Sequence, residues 1–233
     1  MSPVLFAVAS LAFAAATAPP EPPPLVSSGG QNWGVVGART AGQSGNLVEG
    51  GIGWPGIHLS FLRGLSPNLD LGARVALNYS YEGSVQTALT GFKVQFLLHY
   101  KLFERDQVSV ALRFEPGPLF YFLPSNGCFF DNVGNRICPT NVASGFSFPI
   151  GIRLGLVASS AVNVGVIFEV PIWLNFGRVS TVQLPVLFGA GVEYFVRSNL
   201  LLYFSAKMGP TLYTGGAPAV FTLDVALGVG FRF

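Results

Sequence analysis

The chain alternates apolar and polar positions in segment after segment. Phe221, Leu223, Val225, Leu227, Val229, Phe231 and Phe233 stand at odd positions, with Thr222, Asp224, Ala226, Gly228, Gly230 and Arg232 between them. Successive strand side chains point to opposite faces, so this stretch predicts a strand with one continuous apolar row. Leu69 to Tyr81 repeats the pattern, with Leu71, Ala73, Val75, Leu77 and Tyr79 outward and Asp70, Gly72, Arg74, Ala76 and Asn78 inward. The same reading predicts strands over Ile52–Leu62, the stretch through Phe92 to Leu102, Val108–Phe122, Phe146–Leu156, Val162–Phe176, Val182–Val196 and Leu200–Leu212. A weaker strand is predicted at Trp33–Thr40, followed by a Gly-rich loop from Gly42 to Gly51. No segment carries a helical period.

Turn lengths order these strands. Short turns near residues 65, 105, 159 and 198 alternate with longer loops near 84, 132, 179 and 216. Short turns on one side and long loops on the other are the habit of outer-membrane barrels. If the last strand descends to the periplasm, Ile52–Leu62 also descends, and Trp33–Thr40 is the strand available to ascend first. The prediction is an all-β, transmembrane, antiparallel up-and-down β-barrel of about ten strands with both termini periplasmic. An eight-strand barrel is the alternative, and an edge strand of a soluble β-sandwich is the other reading of the C-terminal alternation. Outward aromatics, Tyr79, Tyr81, Phe120, Phe122, Phe146, Phe148 and Phe176 at one end and Tyr100, Tyr194, Phe231 and Phe233 at the other, form two belts.

Composition sharpens the choice. Of 233 residues, 50% are hydrophobic and 10% charged, against about 25% charged in ordinary soluble domains. Past the N-terminus no apolar run reaches the ~18 residues a spanning helix needs. A closed barrel is the other structure that satisfies its backbone in lipid. The net charge of +2 gives no argument for a nucleic-acid partner. Residues 1–18 read as a signal peptide, with an apolar core from Val4 to Ala15 and small residues after it; a retained helix is the alternative. Residues 19–32 read as a Pro/Gly/Ser-rich periplasmic spacer and 33–233 as the barrel.

The ending of the chain resembles the C-terminal assembly signal of bacterial outer-membrane β-barrel proteins, with Gly228, Phe231 and Phe233 as the matching residues and Ala226 where a polar residue is usual. That resemblance implies the outer membrane of a Gram-negative cell, barrel-assembly machinery and outer-membrane lipid as partners, and a porin-like small-molecule role.

Candidate chemistry lies on the inward face. Arg74, Lys93, Arg113, Glu115, Arg153, Glu169, Glu193, Lys207 and Asp224 form a luminal charge network, with Lys93 expected opposite Glu115, Gln95 opposite Arg113 and Lys207 near Asp224. An unpaired buried charge is very costly, so the network either plugs a narrow lumen or lines an ion-selective pore. Pro55, Pro116, Pro149, Pro171, Pro185 and Pro210 fall on six strands, each about ten residues from its short turn, and predict a proline ring where regular pairing loosens. Beside it, Leu119, Tyr121, Ile167, Trp173 and Leu187 suggest an apolar pocket in the upper lumen, reached by a lateral opening near Pro149, Pro171 and Pro185. Cys128 and Cys138 share the longest loop and are read as a disulfide worth about 2–3 kcal/mol, with free thiols as the alternative. His58 and Ser60 share a face, resembling the His-x-Ser of outer-membrane lipid A deacylases without the carboxylate that follows there. His99 is expected to meet Asp70 across the strands. No catalytic set, metal site or cofactor is expected, and the reading is of a monomeric, non-enzymatic barrel. Its function is read as a narrow pore or a binder or transporter of small molecules, hydrophobic ones included. A structural or adhesion-type barrel with a plugged lumen and ligand-binding loops is the alternative, and a lipid-modifying enzyme the third reading.

Overall fold

A computed structural model describes residues 33–84, 89–122, 129–130, 136–137, 142–176, 181–214 and 218–233. The strands run β1 (Asn46–Trp54), β2 (Gly56–Ser66), β3 (Leu69–Asn78), β4 (Gly91–Arg105), β5 (Val108–Phe114), β6 (Gly117–Phe122), β7 (Phe129–Phe130), β8 (Arg136–Ile137), β9 (Val142–Val157), β10 (Val162–Phe176), β11 (Thr181–Pro185), β12 (Leu187–Arg197), β13 (Leu200–Tyr213) and β14 (Val220–Arg232). β7 and β8 form a separate two-stranded pair. β5 and β6 are the two halves of one wall strand, interrupted at Glu115 and Pro116, and β11 and β12 are likewise split at Val186. Ten wall strands remain, each antiparallel to its neighbours in sequence. β1 pairs with β14 from Leu47↔Arg232 to Trp54↔Val225, so the barrel closes and leaves no edge. Closure removes the soluble-sandwich reading, and ten wall strands remove the eight-strand one.

The outward row is apolar around the whole wall: Leu59 is 62% exposed, Leu77 55%, Phe188 59% and Leu227 59%. Tyr79, Phe122 and Phe176 stand outward at the long-loop end, and Tyr100, Tyr194, Phe231 and Phe233 at the short-turn end. A closed wall with this outer face is built for hydrocarbon.

Two sequence expectations are corrected at the start of the barrel. Ile52–Leu62 is two strands rather than one. The chain reverses at the Trp54–Pro55 peptide, which is cis, and the first wall strand is β1, in a stretch read as a Gly-rich loop. Trp33–Thr40 is no wall strand. It enters the lumen, and every residue from Trp33 to Ala41 is buried there. Alternation of apolar residues reports burial on one side of an extended chain, and a segment inside the barrel meets that condition as well as a wall strand does.

Candidate functional site

The lumen is organised in three levels. At the short-turn end, residues 33–41 make a floor. Its backbone has no sheet partner, yet buried N–H groups need acceptors. Glu193 supplies one carboxylate oxygen to three successive N–H groups, those of Val35, Val36 and Gly37. Asn163 Nδ2 donates to the other oxygen at 3.2 Å. Asp70 accepts from Ala41 N at 2.8 Å, Arg113 Nη1 donates to Val35 O at 3.1 Å, and Trp33 Nε1 donates to Ser198 O at 2.9 Å. The wall is cut to fit this segment. Ser109, Gly155, Gly165, Gly191, Ser205 and Ala226 are register partners in one row across six wall strands. A Cβ added at any of the row's three glycines would press on the floor: at Gly191 it falls 2.6 Å from Val36 Cγ1 and at Gly165 3.0 Å from the same atom.

At the long-loop end, Tyr79–Ser84 folds inward as a lid. Ser84 bridges to Thr222 on β14, and Trp54 Nε1 donates to Gly83 O at 3.2 Å. Glu82, 3% exposed, meets Lys93 Nζ at 2.6 Å and accepts from Tyr121 Oη at 2.5 Å. Tyr81, expected in the outward belt, instead turns over the lumen, donating to Asn175 Oδ1 at 2.7 Å with its ring centroid 4.8 Å from that of Tyr121. Burial and the neighbouring Glu82 carboxylate push its hydroxyl well above the usual tyrosine range.

Between floor and lid lies a polar chamber of about 110 Å³, with Val35 and Val36 below and Trp54 and Pro55 above. A second space of about 70 Å³ lies between Pro149, Pro171, Trp173 and Leu187 on one side and charged side chains, among them Glu82, Lys93, Glu169 and Lys207, on the other. Ion pairs cross the chamber. Arg74 reaches Glu115 at 2.8 Å and Glu49 at 3.6 Å, and Arg113 reaches Glu115 at 3.0 Å. Glu169 holds Arg153 at 3.2 Å and Lys207 at 3.1 Å, and Lys207 meets Asp224 at 2.9 Å. On the opposite side His58 Nε2 lies 3.1 Å from Glu49 and 3.0 Å from Tyr203 Oη. Tyr203 has room because Gly51 and Gly228, paired across β1 and β14, leave space where a Cβ would meet its ring or hydroxyl.

The structure thus gathers these charges into two ion-paired groups, Arg74 and Arg113 on Glu115 in one, and Arg153 and Lys207 on Glu169 with Asp224 on Lys207 in the other. Lys93 belongs to the lid and Glu193 to the floor. The register expectation of Lys93 against Glu115 is corrected: Lys93 faces Leu119 and Arg113 faces His99, because the β4–β5 hairpin turns later than expected, at Asp106–Gln107, and the bulge at Lys101–Phe103 takes back only one residue of that offset. His99 Nδ1 and Asp70 are 3.5 Å apart beside the floor. Leu119, Tyr121, Ile167, Trp173 and Leu187 are all inward and at most 4% exposed; Trp173 and Leu187 border the smaller space. Pro149, Pro171 and Pro185 share one inward level: Pro149 pairs with Pro171, and the β10 register sets Pro171 against Pro185. Pro116 and Pro185 sit where wall strands break, while Pro55 is in a turn and Pro210 stays inside β13. Cys128 and Cys138 lie outside the described residues. Sequence reasoning missed Glu49, Glu82 and Tyr203; Tyr203 alternates inward on β13 and was legible, whereas Glu49 and Glu82 stood in stretches read as loops.

No protein-family model and no curated protein sequence matches the chain significantly. Among solved structures it is similar to the outer membrane protease OmpT from Escherichia coli, at 10% identity and a TM-score of 0.42, over 82% of this chain and 93% of that one. The expectation of a non-enzymatic barrel is corrected by this likeness to a protease. At that identity and score the likeness assigns this chain no residue, substrate or activity.

Proposed function

We propose that this protein is an integral outer-membrane barrel, closed to free flow, that retains a small ligand in the chamber between its floor and its lid. The observation that carries the reading is the floor. The amides of Val35, Val36, Gly37 and Ala41 are met by carboxylates of the wall, and a Cβ at Gly155, Gly165 or Gly191 would come within 3.0 Å of the floor. A transient visitor would not need a carboxylate built to receive three successive amides. The crossing ion pairs support the same reading, because opening a continuous water path would separate Arg74, Glu115 and Glu49 or leave them to rearrange. Planar-bilayer recording tests it. The intact protein should give no sustained single-channel steps, and a variant lacking residues 33–41 should give steady ones. Sustained conductance through the intact protein would sink the reading.

A further inference from the structure

The charges of the lumen are unevenly divided between its two spaces. Five cations, Arg74, Lys93, Arg113, Arg153 and Lys207, line the 110 Å³ chamber, against two carboxylates, Glu49 and Asp224. Glu82, Glu115 and Glu169 line the smaller space instead, and Arg113 and Arg153 do not border it. The chamber's charged lining is therefore predominantly cationic, and low-dielectric walls focus such a field. Arg113 and Arg153 are 7% and 6% exposed and stand on neighbouring strands, with Ala111 opposite Arg153. Their side chains are thus diagonal neighbours on the inward face. Arg153 makes one ion pair, through Nη2 to Glu169.

The lid supplies the second observation. Around the two spaces, among the described residues, the five cations are matched by five carboxylates. One of these, Glu82, belongs to the lid and not to the wall, and it sits on Lys93 Nζ at 2.6 Å. Glu82 is held there at a φ of 44°, in the left-handed region that disfavours a side chain. The lid thus delivers a carboxylate to Lys93 at a backbone cost that lifting would relieve.

We propose that the chamber binds a small monocarboxylate, which takes the place of the Glu82 carboxylate at Lys93 as the lid lifts. The proposal rests on the closed, lidded barrel above and names the class of the retained ligand. Lifting the lid withdraws one carboxylate and leaves one buried cation unmatched, so a single negative charge restores the balance. A neutral molecule would leave Lys93 without a counter-charge, and a dianion would overshoot. A planar carboxylate also suits the donor fork of a guanidinium group, which Arg113 and Arg153 both bring to the same chamber.

The test uses the full chain in phosphatidylcholine nanodiscs, with propionate as the probe and propionamide as its uncharged isostere. Binding is read from the indole N–H resonances. Trp54 Nε1 donates to Gly83 O in the lid, whereas Trp33 Nε1 donates to Ser198 O at the floor. Propionate should shift the Trp54 resonance saturably and leave that of Trp33 in place. Propionamide should bind at least ten-fold more weakly. Glu82→Gln keeps an acceptor for Tyr121 but removes the charge at Lys93, so propionate should bind three- to ten-fold more tightly. Arg153→Gln should weaken propionate at least five-fold, and Lys207 still holds Glu169 in that variant. Equal binding of propionate and propionamide would overturn the choice of an anion. Affinity unchanged or lowered by Glu82→Gln would overturn exchange with the lid, and affinity indifferent to Arg153→Gln would overturn the site. No saturable shift in either the parent or Glu82→Gln rejects the ligand class. Bilayer conductance is read separately on the same proteins. Silent bilayers without propionate binding reject this ligand alone, whereas sustained steps reject the closed barrel.

Discussion

The floor and the proline seam, where β10 has no partner on its β11–β12 side between the Glu169↔Leu187 and Trp173↔Gln183 rungs, occupy opposite halves of one lumen and treat backbone in opposite ways. On the floor, an irregular segment with no sheet partner has the amides of Val35, Val36, Gly37 and Ala41 met by Glu193 and Asp70, and the wall beneath is stripped to Gly, Ser and Ala to receive it. At the seam, regular strands lose rungs at Pro171 and Pro185, which offer no N–H donor. Irregular backbone held by buried carboxylates behaves as part of the core. Regular strands with rungs missing have fewer bonds to break. The difference separates a closure from the part of the wall that yields first.

The largest expected effect comes from breaking the floor. Glu193→Ala removes the acceptor shared by Val35, Val36 and Gly37, and each buried donor so orphaned costs about 1–3 kcal/mol. The variant should show fast amide hydrogen exchange at Val35–Gly37 and intermittent channel openings, while amides of the wall strands stay protected. Glu193→Gln keeps an acceptor and should do markedly less. Unchanged exchange in Glu193→Ala would mean the floor is held by packing alone.

Next is the ion network that divides the two regions. Arg74 is shared by Glu115 and Glu49, so Arg74→Ala leaves Glu115 to Arg113 alone and Glu49 to His58 and Tyr203; breaking a buried pair outright costs about 3–5 kcal/mol, and the remaining partners should hold the loss below that. Urea unfolding in lipid vesicles measures it. Replacing Glu115 as well should recover part of the loss, since the remaining charges then balance better.

A smaller effect is expected from crowding the trough. At Gly165 the three atoms nearest an added Cβ all belong to Val36, at 3.0–3.2 Å, so Leu there would drive its side chain into the floor, and overpacking a filled core costs about 1–3 kcal/mol. Because Val36 sits on an irregular segment, the floor should shift before the wall does. Conductance should therefore rise in Gly165→Leu with little change in urea midpoint.

These regions also differ in how far the sequence disclosed them. The wall was legible because alternation along Leu69–Asn78 or Val220–Arg232 is a local signal, and each strand states its own inner and outer face. The floor was not. Its trough joins Ser109, Gly155, Gly165, Gly191, Ser205 and Ala226, residues far apart in the chain that meet only when the register is known. Trp33–Thr40 reads as apolar and extended, which is true of it, yet nothing local separates a chain inside a barrel from one in its wall. Pro55 was visible but was read as a point within one strand, and this misread β1 and hid Glu49 in a loop. The proline row fared better, since equal spacing from the short turns is a countable property and antiparallel pairing converts it into a shared level.

The smallest expected effect has the most distinctive sign. Ser147 is fully buried and its hydroxyl has no partner, so it bears a desolvation cost without a compensating bond in the ligand-free protein. Ser147→Ala removes that cost and adds no cavity larger than one oxygen atom. The variant should be as stable as the parent or more so by about 1 kcal/mol, in contrast to every substitution on the floor. Urea midpoints of parent and variant in lipid vesicles measure it. A destabilised Ser147→Ala in the absence of ligand would mean that the hydroxyl is already satisfied, and the seam would then belong with the floor as closed structure.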